Sequence, residues 1–170
     1  ESRGLGDVYK RQILVSAKEA IFNKASSLAS VSQIFRSERA GITVWLSALR
    51  VHQWLKNLLL FVPLLSAHQI SNFNSLSTLL LAFFSFSLCA SSIYIVNDLL
   101  DLESDRSHPS KRFRPFASAR LSILYGVIAA PLLVAGSFIL GAAVSSDFFI
   151  ILFVYLFLTI TYSFGLKRLV

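Results

Sequence analysis

Charge is what this sequence has least of. Only 15% of its 170 residues are charged and 55% are hydrophobic. A water-soluble domain of this length carries more charge and less apolar surface. Residues 57–97, 121–146 and 148–166 contain no Asp, Glu, Lys or Arg at all. About 20 apolar residues cross a bilayer. The second and third stretches therefore read as one span each. The first is about twice that length and reads as two spans with a turn. Cysteine is nearly absent as well. Cys89 alone excludes an internal disulfide and a cysteine metal site, which leaves it as a small packing residue. No apolar core with a small-residue cleavage site opens the chain, and no stretch alternates like a strand. The expected fold is all-α, a polytopic membrane helix bundle with four spans.

The charges that are present lie on one side. The net charge is +7. Nine of the sixteen Lys and Arg precede Asn57, and Lys167 and Arg168 follow the fourth span. The other five, Arg106, Lys111, Arg112, Arg114 and Arg120, lie between spans two and three. The loops around 66–75 and 145–147 have none. Such asymmetry marks the basic side as cytoplasmic. The cations sit hard against spans, which argues against nucleic acid as the partner.

The tract 1–12, ESRGLGDVYKRQ, fits nothing after it and reads as a translated adapter sequence, outside the fold. Residues 13–44 read as a cytoplasmic helix and linker. Ile13, Ala17, Ala20, Ile21 and Leu28 recur at helical spacing up to Phe35. Trp45 to Lys56 approaches the membrane, with Trp45 and Trp54 suited to the interface. Span one runs about 57–70, with Pro63 inside it as a break. Span two covers about 76–96, span three 121–144 and span four 148–166. Gly126, Ala130, Gly136 and Gly141 are the small contact positions of span three.

Chemistry concentrates at the end of span two, in Asn97-Asp98-Leu99-Leu100-Asp101-Leu102-Glu103-Ser104-Asp105. Steps of three and four place Asn97, Asp98, Asp101 and Asp105 on one helical face, with Glu103 off it. Like charges at this spacing repel. A hard cation such as Mg²⁺ relieves them, taking a few carboxylates and the rest of its oxygens from phosphate. A plain charged helix end is the simpler alternative. His108–Pro109 should stop the helix. The five cations that follow suit diphosphate oxygens as well as membrane topology.

Asn97-Asp98-x-x-Asp101-x-x-x-Asp105 resembles the first aspartate-rich motif of the UbiA superfamily of intramembrane prenyltransferases. Gln53-Trp54-x-Lys56-Asn57 and Tyr162-Ser163-x-x-Leu166-Lys167-Arg168 extend the resemblance over about 45–170. His108-Pro109-x-Lys111-Arg112-x-Arg114-Pro115 looks most like the branch that contains decaprenyl-phosphate phosphoribosyltransferase. Some relatives carry a haloacid-dehalogenase-like domain upstream, of which 13–35 is a candidate remnant.

The resemblance implies about nine helices around a cavity, where two acidic motifs hold Mg²⁺ on the diphosphate of a donor. It implies Asp98 and Asp101 as catalytic, with Asn97, Asp98, Asp101 and Asp105 as the metal side. Lys56, Asn57, Lys111 and Arg114 become candidate phosphate contacts, and a polyprenyl lipid becomes a substrate. The second acidic motif is not in these 170 residues, so the segment alone is expected to be inactive. Two other classes compete. An anionic-lipid transporter would place its ionisable groups deeper in the membrane. A CDP-alcohol phosphatidyltransferase would need a glycine among the acids, and none lies between Asp98 and Asp105.

Overall fold

In the computed structural model the described residues are 12–15, 31–35, 41–66 and 72–165. The chain divides into two compact units, Glu1–Arg39 and Ala40–Val170. Residues 1–11 of the excluded tract lie outside the described residues.

The first unit corrects the helix expected over 13–35. Strand β1, Gln12–Val15, pairs in parallel with β2, Val31–Phe35, with Leu14 opposite Ile34 and Val15 opposite Phe35. Ile13, Val15, Val31, Ile34 and Phe35 are β-branched or aromatic and suit a strand. Ala17, Ala20, Ile21 and Leu28, which carried the helical spacing, lie outside the described residues.

The described part of the second unit is all-helical, as expected. Helix α1 is Ile42–Ala48. A 3-10 segment, Val51–Phe61, passes directly into α2, Val62–Ser66. Next come α3, Phe73–Leu100, and α4, Leu102–Ser107. A short 3-10 turn at Lys111–Phe113 leads to α5, Ile123–Val144, and α6, Ser146–Phe164. Asn72 caps α3 by accepting from the N–H groups of Asn74 and Ser75, and Ser145 Oγ caps α6 by accepting from Phe148 N–H.

Among the described residues, α3, α5 and α6 are long and apolar enough to cross a membrane, with mean hydropathies of 2.1, 2.3 and 1.9. They correspond to the expected spans two, three and four. The expected first span has a different form. Its described part changes from 3-10 to α at Val62, one residue before Pro63, whose ring nitrogen has no hydrogen to donate. The ends assigned to spans one and four, Ile70 and Leu166, lie outside the described residues, as do Lys167 and Arg168.

Small residues let α3 and α5 approach closely. Gly126, Ala130, Ser137 and Gly141 of α5 are buried, repeating at steps of four, seven and four along one seam. Ser85 Oγ donates to the Ser137 carbonyl and Ser137 Oγ donates back to the Ser85 carbonyl, both at 2.8 Å. Neither serine leaves a polar atom stranded in an apolar interior. A β-carbon on Gly126 would lie 2.8 Å from the Phe116 ring. Gly136 is looser, its nearest side-chain neighbour Leu88 being at ordinary contact distance. Phe116 and Leu121, from the loop before α5, join Ala48, Ile95 and Ala130 in one core cluster. Cys89 packs in a second, with Ile93 and Leu152. The acid-rich end of α3 is thereby roofed by the loop 108–122 and fixed against α1.

Candidate functional site

Helix α3 ends at Leu100, and Asp101 stands at the junction with α4. Asp98 and Asp105, on either side of that junction, are almost fully buried, 3% and 1% exposed. Buried carboxylates need charged partners, and both find them in arginines. Arg114 Nη1 donates to Asp105 Oδ2 at 2.7 Å and to Asp98 Oδ1 at 3.2 Å. Arg50 Nη2 donates to the same Asp98 oxygen at 2.6 Å. Two carboxylates and two guanidinium groups, drawn from both sides of the membrane helix in sequence, form one charge-balanced cluster.

The loop that delivers Arg114 is held by hydrogen bonds to its own backbone. His108 ends α4, and its Nδ1 accepts from the backbone N–H groups of Ser110 and Lys111. Arg120 Nη2 donates to the Phe113 carbonyl, and Arg106 Nε to the Ala117 carbonyl. The helix stop expected at His108–Pro109 is observed, and Glu103 is exposed as expected.

A polar cavity of about 330 Å³ opens beside Asp98, lined also by Arg50, Arg114, His52, Ser47 and Ser110. A second, apolar cavity of about 330 Å³ lies between α3, α5 and α6. Asn97 lines this second cavity together with Val96, Pro131, Leu156 and Ile160. Residues adjacent on a helix point about 100° apart, so Asn97 and Asp98 serve different spaces.

Of the eight residues selected from sequence, the structure joins Asp98, Asp105 and Arg114 directly. Asp101 is half-buried at the helix junction between them, and Lys111 is exposed on the covering loop. Asn57 lies elsewhere. Its Nδ2 donates to Ser87 Oγ at 2.9 Å, and Ser87 is about 16 Å along α3 from Asp98. Lys56, beside it, is exposed. Sequence inspection missed Arg50, which the structure marks by its ion pair with Asp98 and by its backbone, with φ 51° and ψ 45° in the left-handed region. Nonglycine residues rarely adopt it.

Among the described residues, no three His, Cys, Asp or Glu side chains converge as a ready-made metal site. Arg114 fills the space between Asp98 and Asp105. The oxygen donors are of the type that suits Mg²⁺, which commonly takes one or two carboxylates and completes its shell from substrate phosphate and water. The donor chemistry thus fits, with a guanidinium standing between the two buried carboxylates.

An apolar bundle with three helices long enough to cross a membrane, and a carboxylate–guanidinium cluster at one end, has the make-up of an integral membrane protein. The chain belongs to the UbiA prenyltransferase family, whose model matches residues 43–170. It is 43% identical over 124 residues to the uncharacterized protein y4nM of Sinorhizobium fredii, covering 73% of this chain and 24% of that protein. It is 54% identical over 80 residues to the nodulation protein NoeC of Azorhizobium caulinodans, covering 47% and 26%. Over 127 residues it is 36% identical to decaprenyl-phosphate phosphoribosyltransferase of Mycolicibacterium smegmatis, covering 72% and 40%. The chain spans less than half the length of these relatives.

Proposed function

We propose that these residues form one wall of the donor-diphosphate site of an intramembrane transferase. The reaction, in a protein of the relatives' length, moves a prenyl or phosphoribosyl group to an acceptor with loss of diphosphate. The observation that carries this reading is the buried Asp98–Arg114–Asp105 cluster beneath a basic loop. It places anionic and cationic groups at one end of an apolar bundle, where a lipid's polar head meets water.

Asp98, Asp101 and Asp105 are proposed to supply the metal side, with Asn97 able to contribute only by turning from the apolar cavity. Bound there, Mg²⁺ supplies neutralisation of the charge that grows on the leaving diphosphate. Arg114, from the loop, orients phosphate oxygens and stabilises the same charge, because a guanidinium forks onto two oxygens at once. Lys111 adds a point charge at the exposed rim. The apolar cavity beside Asn97 offers lipid-compatible volume one step around the helix. Asn57 makes its hydrogen bond to α3 rather than to the acid cluster.

Phosphoribosyl transfer to a polyprenyl phosphate is the narrower reading. It is favoured by the 36% identity to decaprenyl-phosphate phosphoribosyltransferase over 72% of this chain. In either version the basic end faces the cytoplasm of a bacterial plasma membrane. Residues 51–66 would then supply a fourth crossing. A 3-10 helix rises about 2.0 Å per residue against 1.5 Å for an α-helix. The described 3-10 and α segments together therefore extend about 30 Å, the thickness of a hydrocarbon core.

In a protein of the relatives' length carrying this segment, Asp98→Asn or Asp101→Asn should lower Mg²⁺-dependent diphosphate release about 100-fold or more. Release at the unaltered rate in both variants would refute the assignment.

A further inference from the structure

We infer that Arg50 is a second phosphate-binding arginine of this site, paired with Arg114 across the polar cavity; the inference rests on the diphosphate reading above. Arg50 is at a costly backbone position. The left-handed conformation disfavours any residue with a β-carbon, and such strain persists where surrounding contacts impose it. Those contacts are present. Leu49, just before Arg50, has its carbonyl held by Ser91 Oγ at 2.7 Å. The same Ser91 hydroxyl accepts from Trp54 Nε1 at 3.0 Å. The Arg50 carbonyl accepts from Gln53 N–H at 2.7 Å, opening the 3-10 segment. One serine of α3 thus fixes both ends of the bend that carries Arg50.

The side chain is held as firmly as the backbone. Its guanidinium lies over the Tyr94 ring, 4.7 Å from the centroid, which fixes the plane and leaves the edge for acceptors. Asp98 is the one side-chain acceptor that Arg50 has among the described residues. Arg114, by contrast, is divided between two carboxylates. A guanidinium has five N–H donors, so Arg50 retains most of them, and it lines the cavity at 23% exposure. Pure neutralisation of Asp98 would need neither a second arginine on the same oxygen nor a strained backbone. The cluster is balanced before a ligand arrives. A diphosphate arriving with its own divalent cation allows an exchange in which guanidinium groups turn to phosphate and carboxylates to metal, with no charge left unpaired.

The test is binding of inorganic pyrophosphate, with Mg²⁺, to a purified protein of the relatives' length carrying this segment, in detergent micelles, measured by calorimetry alongside the thermal midpoint. Arg50→Ala should weaken binding about 10- to 100-fold. Arg50→Lys keeps the charge but loses the fork, and should weaken it about 10-fold with an unchanged midpoint. Unaltered affinity in both variants overturns the Arg50 assignment alone. Weakening of Arg50→Lys only in step with lost folding makes Arg50 structural and also overturns it. Absence of pyrophosphate binding by that protein with Arg50 unaltered removes the diphosphate reading itself.

Discussion

The two carboxylates that define the site are not equivalent at the level of single residues. Asp98 has two arginines on one oxygen, whereas Asp105 has Arg114 alone among the described residues. Removing one partner of a buried ion pair strands the other charge, at a cost of about 3–5 kcal/mol. Arg114→Ala should therefore destabilise the helical fold by about that amount. Restoring neutrality with Arg114→Ala plus Asp105→Asn should recover much of it, because a neutral amide tolerates burial better. Denaturant unfolding in micelles, followed by circular dichroism, checks both; equal loss in the single and double variants would show that Asp105 does not need its counter-charge. The sequence made Asp98, Asp105 and Arg114 visible, since acids at the end of an apolar run ask for cations close by. It misplaced Asn97 because Asn97 and Asp98 are neighbours about 100° apart on the helix, so when Asp98 faces the arginines Asn97 turns to the apolar cavity. Arg50 could not be read as a partner of Asp98, because 48 residues separate them and only packing brings them together.

At the scale of elements, the 3-10 form of Val51–Phe61 has a geometric reason. Trp54 bonds to Ser91 and Asn57 to Ser87. Three residues of 3-10 helix rise about 6 Å, as do four residues of α-helix. The two helices run antiparallel, so equal rises keep both hydrogen bonds in register, and Phe61 meets Phe83 further along at 5.9 Å between ring centres. An α-helical segment would advance only about 4.5 Å over the same three residues and lose one bond or the other. Asn57→Leu and Ser87→Ala should each destabilise the fold. A double-mutant cycle should give a coupling of about 0.6 kcal/mol, the usual value for such bonds in membranes. Strict additivity would separate the pair. The Gln53–Asn57 motif was legible as important, but its Asn57 was assigned to phosphate when its described bond is to another helix. The small positions of α5 were better read, because glycine and alanine at helical steps in an apolar run have few other uses. The β1–β2 pair was not legible, since short apolar segments fit a helix or a strand until their partner is known.

For the whole molecule, the open question is how the bundle sits across the bilayer. Among the described residues of the second unit, every lysine and arginine other than Lys56 belongs to the end that holds Asp98 or to its loop. The opposite end has Asn72, Ser145 and Asp147. The outer faces of α5 and α6 expose Leu124, Val127, Leu132, Phe153, Phe157 and Leu158, which suits lipid or further helices and not water. The positive-inside rule then predicts Ser110 on the cytoplasmic side and Ser145 on the outside. Cys89 is the one cysteine of the chain and is buried, so a Cys89→Ser background gives a clean test. In intact bacterial cells, a membrane-impermeant maleimide should label Ser145→Cys directly. Ser110→Cys should react only after permeabilisation. The reverse pattern would put the carboxylate–guanidinium cluster outside, where the cytoplasmic donor required by the proposed transfer could not reach it. The reading of the site would then fail with the topology, because a cluster this size acts only on what its side of the membrane delivers.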